Sequence, residues 1–316
     1  MYLDSLGNFD LSKSTKGALS VGVPGTVAGL YEIHRKYGKL PWKVLLEPAI
    51  RLAKKGFVLT QDGAEYRNGV LPELYRYKSS RKYFTKGDST SKFYSGDVFI
   101  QKDLAKTLCR IRKQGRDGFY KGSVAKLIVS EIRRNNGILS ENDLASYEPV
   151  WRAPLKSTYR SYEIITVPPP SSGGWALISL LKMTEPYRLD SLGFHSSSTI
   201  HLMSEAMKRV FADRSEYLGD PDFVDVPISA LLDSTFLVKR MSTFDSEKVT
   251  NPNDVKPGLL NKQESKNTTH YCIADSSGNM VAVTTTLNHG FGSKLAVEGA
   301  GFLLITQSAK QVDNAG

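Results

Sequence analysis

The strongest constraint on the fold of this chain lies late in it, where two β-rich runs flank a five-residue turn. His270 to Ala274 and Met280 to Leu287 carry the β-branched and apolar residues, and Asp275-Ser276-Ser277-Gly278-Asn279 carries the turn formers. Upstream the apolar period is helical. Leu30 to Lys36 and Val44 to Lys55 read as helices, the second with Val44, Leu45, Pro48, Ala49, Leu52 and Ala53 on one stripe and Gly56 as its stop. Pro48 is expected in a first turn. Val124 to Arg134 repeats Val124, Leu127, Ile128 and Ile132, with Gly137 after it. Ser198 to Phe211 is expected to bury Ile200, Met203, Ala206, Met207, Val210 and Phe211. Tyr162 to Val167 reads as a strand that Pro168 stops. Helices over most of the chain and a late hairpin favour a layered α+β or α/β fold.

The 316 residues suit one large domain or two ordinary ones, with no need of disulfide staples. Cys109 and Cys272 lack any metal or redox spacing and read as buried, inert thiols. No apolar run approaches the ~20 residues of a membrane span, and the first residues lack the apolar stretch of a signal peptide. Arg76 to Arg134 holds 16 basic and 5 acidic residues, so this block carries the whole net charge of +10. Its charges are spaced singly among aromatics, and no nucleic-acid module accompanies them. It reads as a solvated surface.

No nucleotide-binding glycine loop, zinc-binding histidine pair or nucleophile elbow is present, so neither cofactor nor metal is expected. His201 reads as a surface or cap residue. Three punctuated strings remain. In VGVPGTVAGL (21–30), Gly22, Pro24 and Gly25 form a turn and Thr26 is a candidate helix cap. In VPPPSSGG (167–174), Ser171 and Ser172 are either caps or cleft residues. In DRSEYLGDPDF (213–223), Asp213, Glu216, Asp220 and Asp222 suggest either a cation site or, better, ion pairs.

The chemistry concentrates in Asn267-Thr268-Thr269-His270-Tyr271 and the following GNMVAVTTTLNHGFGS (278–293). A threonine hydroxyl is a poor nucleophile unless a base adjoins it. A free α-amino group on the same residue, with a pKa of about 7.7–8.0, is such a base near neutral pH. Thr268 would then have to become N-terminal by scission of the Asn267–Thr268 bond. Its position after the polar stretch Ser242 to Asn267 suits such a cut. On chemistry alone, paired threonines are better read as ordinary strand residues.

These residues resemble the gamma-glutamyltranspeptidase (glutathione hydrolase) family. VGVPGTVAGL, LAKKGF (52–57), GFYKG (118–122), PPPSSGG, DRSEYLGDPDF and the Thr268 region follow in that family's order, from about Ala18 to Leu304. The resemblance implies an α+β fold, a four-layer αββα sandwich of the N-terminal-nucleophile hydrolase type. It implies a large-subunit-like region 1–267 and a small-subunit-like region from 268, the two fragments staying associated after self-cleavage. By position, Thr268 would be the nucleophile, Thr286 would orient it, and Asn288 would hold the glutamyl α-groups. The implied reaction is γ-glutamyl transfer from glutathione or other γ-glutamyl compounds, through a threonine ester, to water or to an amino-acid or dipeptide acceptor. No cofactor, nucleic acid or membrane span is implied, and a periplasmic or extracellular location is.

Ile305 to Lys310 depart from the family's acidic substrate-gripping run, and its upstream arginine and later glycine pair have no counterpart here. The chain is therefore expected to be incomplete at both ends, poorly soluble or only partly folded alone, slow or unable to cleave between Asn267 and Thr268, and essentially without glutathione hydrolysis by itself. The alternatives are another N-terminal-threonine amidohydrolase, or an inactive family fragment serving as a binding or assembly module.

Overall fold

The computed structural model describes Tyr2 and residues 6–8, 10–88, 90–256 and 268–306, which form two compact units. The first comprises the described residues up to Val150 together with those from Thr268, and the second those from Trp151 to Lys256.

Helix Gly122–Arg134 is the spine of the first unit. It buries Val124, Ile128 and Ile132 completely, as the spacing predicts, and Gly137 closes it with an amide bond to the Ile132 carbonyl at 2.8 Å. Phe119, Tyr120, Leu139 and Leu144 pack around it. A second cluster gathers Leu71, Leu74, Phe84, Phe93 and Phe99. The segment after the late hairpin joins the two: Leu295, Val297, Ala300 and Leu304 lie in the first cluster and Ala296 in the second, all five fully buried. That segment is irregular, so its backbone needs partners from elsewhere. Ser80 Oγ donates to the Lys294 carbonyl at 2.6 Å and accepts the Ala296 amide at 2.9 Å. Thr107 Oγ1 donates to the Ala300 carbonyl at 2.9 Å, and Tyr83 Oη accepts the Gly299 amide at 2.7 Å.

The late hairpin forms where the sequence places it. Strand Thr268–Ala274 pairs antiparallel with Met280–Thr286, Thr268 opposite Thr286 and Ala274 opposite Met280. Asp275 Oδ1 closes the turn by accepting the Ser277 and Asn279 amides at 2.9 Å each. Phe57–Val58 with Val98–Phe99, and Leu155–Tyr159 with Tyr162–Thr166, are the other strand pairs. Each sheet has two strands among the described residues, so the Thr268 strand is half of a two-stranded hairpin.

The second unit packs Leu155–Tyr159 and Tyr162–Thr166 with helices Gly173–Thr184, Ser197–Tyr217 and Ser234–Met241 around Trp175, Leu202, Ala206, Val210 and Leu237. Ser196 caps the long helix by accepting the Thr199 amide at 3.2 Å.

Several local expectations fail. Helix Trp42–Lys55 runs through Pro48, which is interior rather than in the first turn, and it buries Ile50 and Ala53 while Val44, Leu45 and Leu52 are exposed. In Ser197–Tyr217, Ile200, Met203 and Met207 are exposed, and the buried face is Leu202, Glu205, Ala206, Arg209, Val210 and Asp213. Buried charge explains the second miss. Arg209 Nη1 donates to Glu205 Oε2 at 2.9 Å and Arg209 Nε to the Arg240 carbonyl at 2.7 Å, so polar residues hold core positions that an apolar count overlooks. Thr26 is the first helical residue, not the cap; Gly25 precedes it. The basic block, by contrast, is the solvated surface expected, with some of its charges in surface ion pairs such as Lys86–Asp97 at 2.7 Å and Arg134–Glu298 at 2.9 Å.

Leu295→Ala should remove about 2–5 kcal/mol of stability, the usual cost of a cavity at a fully buried leucine, read from urea denaturation. A pH test applies to the second unit. Asp213 is fully buried, and burial lifts its carboxyl to about 6 although Arg240 Nε donates to it at 2.9 Å. Its folded pKa exceeds the unfolded value of about 3.9, so the folded state holds the extra proton between them. This contribution is present at low pH and is lost as pH rises from about 4 to about 6. Compared with the parent across that window, Asp213→Asn should show a thermal midpoint that no longer carries this downward slope.

Candidate active site

Thr286 ends the second hairpin strand, and the chain turns at once. Thr286 Oγ1 accepts the Asn288 amide at 2.8 Å, and Asn288 adopts φ +72°, a left-handed conformation that asparagine tolerates better than most residues. The three candidate residues are thus brought together along the backbone: Thr268 directly opposite Thr286 in the ladder, Asn288 two residues beyond. Asn267, on the other side of the expected scission, lies outside the described residues, as do Gln307 to Lys310.

Beside them on the ladder, His270 Nδ1 lies 2.7 Å from Thr284 Oγ1, and its Nε2 lies 3.3 Å from Cys272 Sγ. Cys272 is therefore not the buried thiol expected: it is exposed, while Cys109 is half-buried, and both are free.

The turn is pinned from behind. Thr306 donates its amide and its hydroxyl to the Leu287 carbonyl, each at 3.2 Å, and pairs with Val21. The Gly292 amide bonds to the His289 carbonyl at 2.7 Å, and Ser293 bonds to the Leu304 carbonyl through both its amide and its hydroxyl at 3.0 Å. Burial first, then the charges of Lys294 and Lys16, hold the His289 imidazole below its ordinary pKa against the opposing pull of Glu73. That favours the neutral ring near the candidate site.

The other punctuated strings are joints. Tyr120, in GFYKG, is fully buried, accepts the Ala28 amide at 3.2 Å and donates to the Pro24 carbonyl, so it ties VGVPGTVAGL to the core. Burial pushes its phenol up to about 12. Ser172 stands at the N-cap position of Gly173–Thr184 without a side-chain capping bond, and its Oγ instead accepts from Arg214 Nε at 2.7 Å. Arg152 reaches both Asp222 oxygens, at 3.0 and 2.5 Å, and Asp213 pairs with Arg240, so the acidic string forms ion pairs. His201 is exposed, with Nε2 2.9 Å from the Asp245 carbonyl. Among the described residues no three His, Cys, Asp or Glu side chains converge as a metal site, and no helix is long and apolar enough to cross a membrane.

Reading the sequence did not find the lysines and glutamate behind the Asn288 turn. Lys16, Glu73 and Lys294 have no motif spacing, and only folding brings them together.

Gly292 tests the turn directly. At φ +55°, a β-carbon there would lie 2.3 Å from the Leu304 carbonyl oxygen, so Gly292→Ala should cost about 1–3 kcal/mol and shift the Asn288 amide resonance in NMR spectra.

Comparison with known proteins supplies the family. The gamma-glutamyltranspeptidase family model matches residues 1–314. The glutathione hydrolase proenzyme of Pseudomonas aeruginosa is 43% identical over 306 residues, covering 96% of this chain and 53% of that protein. Among solved structures, the gamma-glutamyltranspeptidase of Helicobacter pylori superposes with a TM-score of 0.78 at 43% identity, over 84% of this chain and 76% of that one. The cephalosporin acylase of Bacillus halodurans superposes with a TM-score of 0.79 at 26% identity, over 94% and 53%. The chain spans about half the length of the curated relatives it matches. Its α+β fold is that of the N-terminal-nucleophile hydrolases, and the chain belongs to the gamma-glutamyltranspeptidase family.

Proposed function

We propose that this chain carries the nucleophile of a γ-glutamyltransferase and glutathione hydrolase. The observation that supports this most is the ladder register, with Thr268 beginning its strand opposite Thr286 and Asn288 two residues further on. Directly opposed residues in an antiparallel pair have β-carbons about 4.5–5.5 Å apart, close enough for one hydroxyl to orient another. Scission before Thr268 frees its α-amino group. Thr268 Oγ1 attacks the γ-glutamyl amide carbonyl, its proton passing to the amine and then to the departing cysteinylglycine nitrogen. The γ-glutamyl–threonine ester is next attacked by water or by an amino-acid or dipeptide amine, which regenerates the hydroxyl. Thr286 orients the nucleophile, and Asn288 holds the glutamyl α-amino and α-carboxylate groups.

The scission divides the chain into regions 1–267 and 268–316. The buried 295–304 segment supports continued association of the two, because its side chains and backbone are held by residues upstream of the cut. Action outside the cytoplasm, on periplasmic or extracellular glutathione, completes the proposal.

Mass spectrometry of the purified chain should find a new N-terminus at Thr268, absent from Thr268→Ala. The sequence alone predicts no turnover by the lone chain, but Thr268, Thr286 and Asn288 all lie on one formed hairpin, so incubation with L-γ-glutamyl-p-nitroanilide should give a γ-glutamyl adduct on the Thr268 peptide and release p-nitroaniline. An intact bond in both proteins would refute the scission. An adduct formed with a cephalosporin-type acyl donor but not with the γ-glutamyl donor would favour an acylase, the activity named for some relatives.

A further inference from the structure

The backbone is most unusual just after Asn288. Among the described residues six non-glycine positions have positive φ, and three of them, Asn288, Phe291 and Lys294, fall within this one turn. Left-handed conformations at such residues are strained and persist only where the surroundings impose them. Main-chain bonds supply part of that constraint, and the rest is ionic. Glu73, in the last turn of helix Gln61–Leu74, offers one carboxylate oxygen to Lys16 Nζ at 2.5 Å and the other to Lys294 Nζ at 3.3 Å. Lys294 is buried, its side chain only 8% exposed, and its Nζ also donates to the Gly290 carbonyl. One ammonium thus spans the turn from residue 294 back to residue 290, and one carboxylate holds that ammonium in place.

We propose that Glu73 and Lys294 are positioning residues for γ-glutamyl binding: the Glu73 carboxylate fixes Lys294, and Lys294 sets the turn that presents Asn288. The proposal rests on the functional reading above. It differs from a general stabilising role because, among the described residues, the pair bonds to Lys16 and to the Gly290 carbonyl, and so acts on the residues that follow Thr286 rather than on the 268–274 strand. Lys16 occupies the second oxygen of Glu73, so one carboxylate faces two ammonium groups. This keeps it ionised: burial alone would raise the Glu73 carboxyl, but the bonds and charges of Lys16 and Lys294 hold it below the ordinary value.

The test compares Glu73→Gln, Lys294→Met and the double variant in the full chain. Loss of a bond to a charged partner is worth about tenfold or more, so each single variant should raise KM for L-γ-glutamyl-p-nitroanilide about tenfold with kcat within about twofold. The double variant should be no worse than either single one, because both changes break the same link. Additive effects, or a fall in kcat at constant KM, would overturn the proposal. Hydrogen exchange provides an arm independent of turnover. Glu73→Gln should speed exchange at the Gly292 and Lys294 amides about tenfold and leave Ala296, held by Ser80, unchanged. Unaltered exchange at Gly292 and Lys294 would also overturn it. A parent chain that releases no p-nitroaniline would count against the functional reading, while the exchange arm still decides the pin.

Discussion

The first unit depends on one act of burial: the irregular segment 293–306 threading between two apolar clusters. Each fully buried aliphatic side chain contributes roughly 1.5–3 kcal/mol, so Leu295, Val297 and Leu304 are a large share of a marginal total. An irregular chain in a core carries amides and carbonyls that no helix or ladder satisfies. Ser80, Thr107 and Tyr83 satisfy four of them with three side-chain hydroxyls. Those three residues come from helices Lys78–Phe84 and Lys102–Gln114, so the segment cannot shift without breaking several bonds at once. The hairpin lies immediately before this anchored segment. Its own faces are largely solvent-exposed, with Tyr271, Ile273 and Val281 all uncovered. Its position is therefore set by the anchor at its C-terminal end rather than by packing of its own faces.

The same logic accounts for strings that sequence alone left ambiguous. Pro24, Ala28 and Tyr120 meet because a buried phenol must find partners: the Pro24 carbonyl, ahead of the helix, accepts its proton, and the Ala28 amide is one that a helix N-terminus leaves free. Asp213 and Arg240, and Glu205 and Arg209, are charges placed inside a helical unit. Burial alone would raise the Glu205 carboxyl, yet bonds from Lys208, Thr250 and Arg209 hold it at about 2. Asp213 has one bonded oxygen and one without a partner, and there burial prevails. The two carboxyls differ in hydrogen-bond count, and that difference decides the direction of each shift.

What was legible in the sequence was what depends on near neighbours. The 275–279 turn, the strands beside it, the Gly137 stop and the Val124–Ile132 stripe follow from local period and turn chemistry, and the structure has them. The Thr268–Thr286 pairing follows from the same arithmetic once the turn is placed. Helix faces were harder. Helix 42–55 has two apolar stripes, and only the tertiary partner decides that Ile50 and Ala53 go inside while Val44 and Leu52 stay out. In helix 197–217 the core face includes Glu205, Arg209 and Asp213, which an apolar count excludes by construction. The Lys16–Glu73–Lys294 group was beyond reach for another reason. Its three members come from distant parts of the chain, and charged residues at unremarkable spacing give no signal until folding brings them together.

On the proposed reading Thr268 must become N-terminal, which poses a mechanical problem, because the cut that activates it would also free the chain end that carries it. The ladder resolves this. Every cross-strand pair from Thr268–Thr286 to Ala274–Met280 lies on the downstream side of the cut, so scission removes none of them. The downstream anchor is equally untouched, since Leu287 is held by Thr306 and Ser293 by Leu304, all on the same fragment. That fragment is joined to the remainder by burial of 295–304, by side-chain bonds from Ser80, Tyr83, Thr107 and Glu73 and by the Val21–Thr306 pairing, none of which needs covalent continuity. The strand before the turn can therefore exchange a peptide bond for a free amine while Thr286 and Asn288 keep their places. On that reading, a nucleophile at a strand start opposite its orienting residue would let processing and catalysis use one geometry.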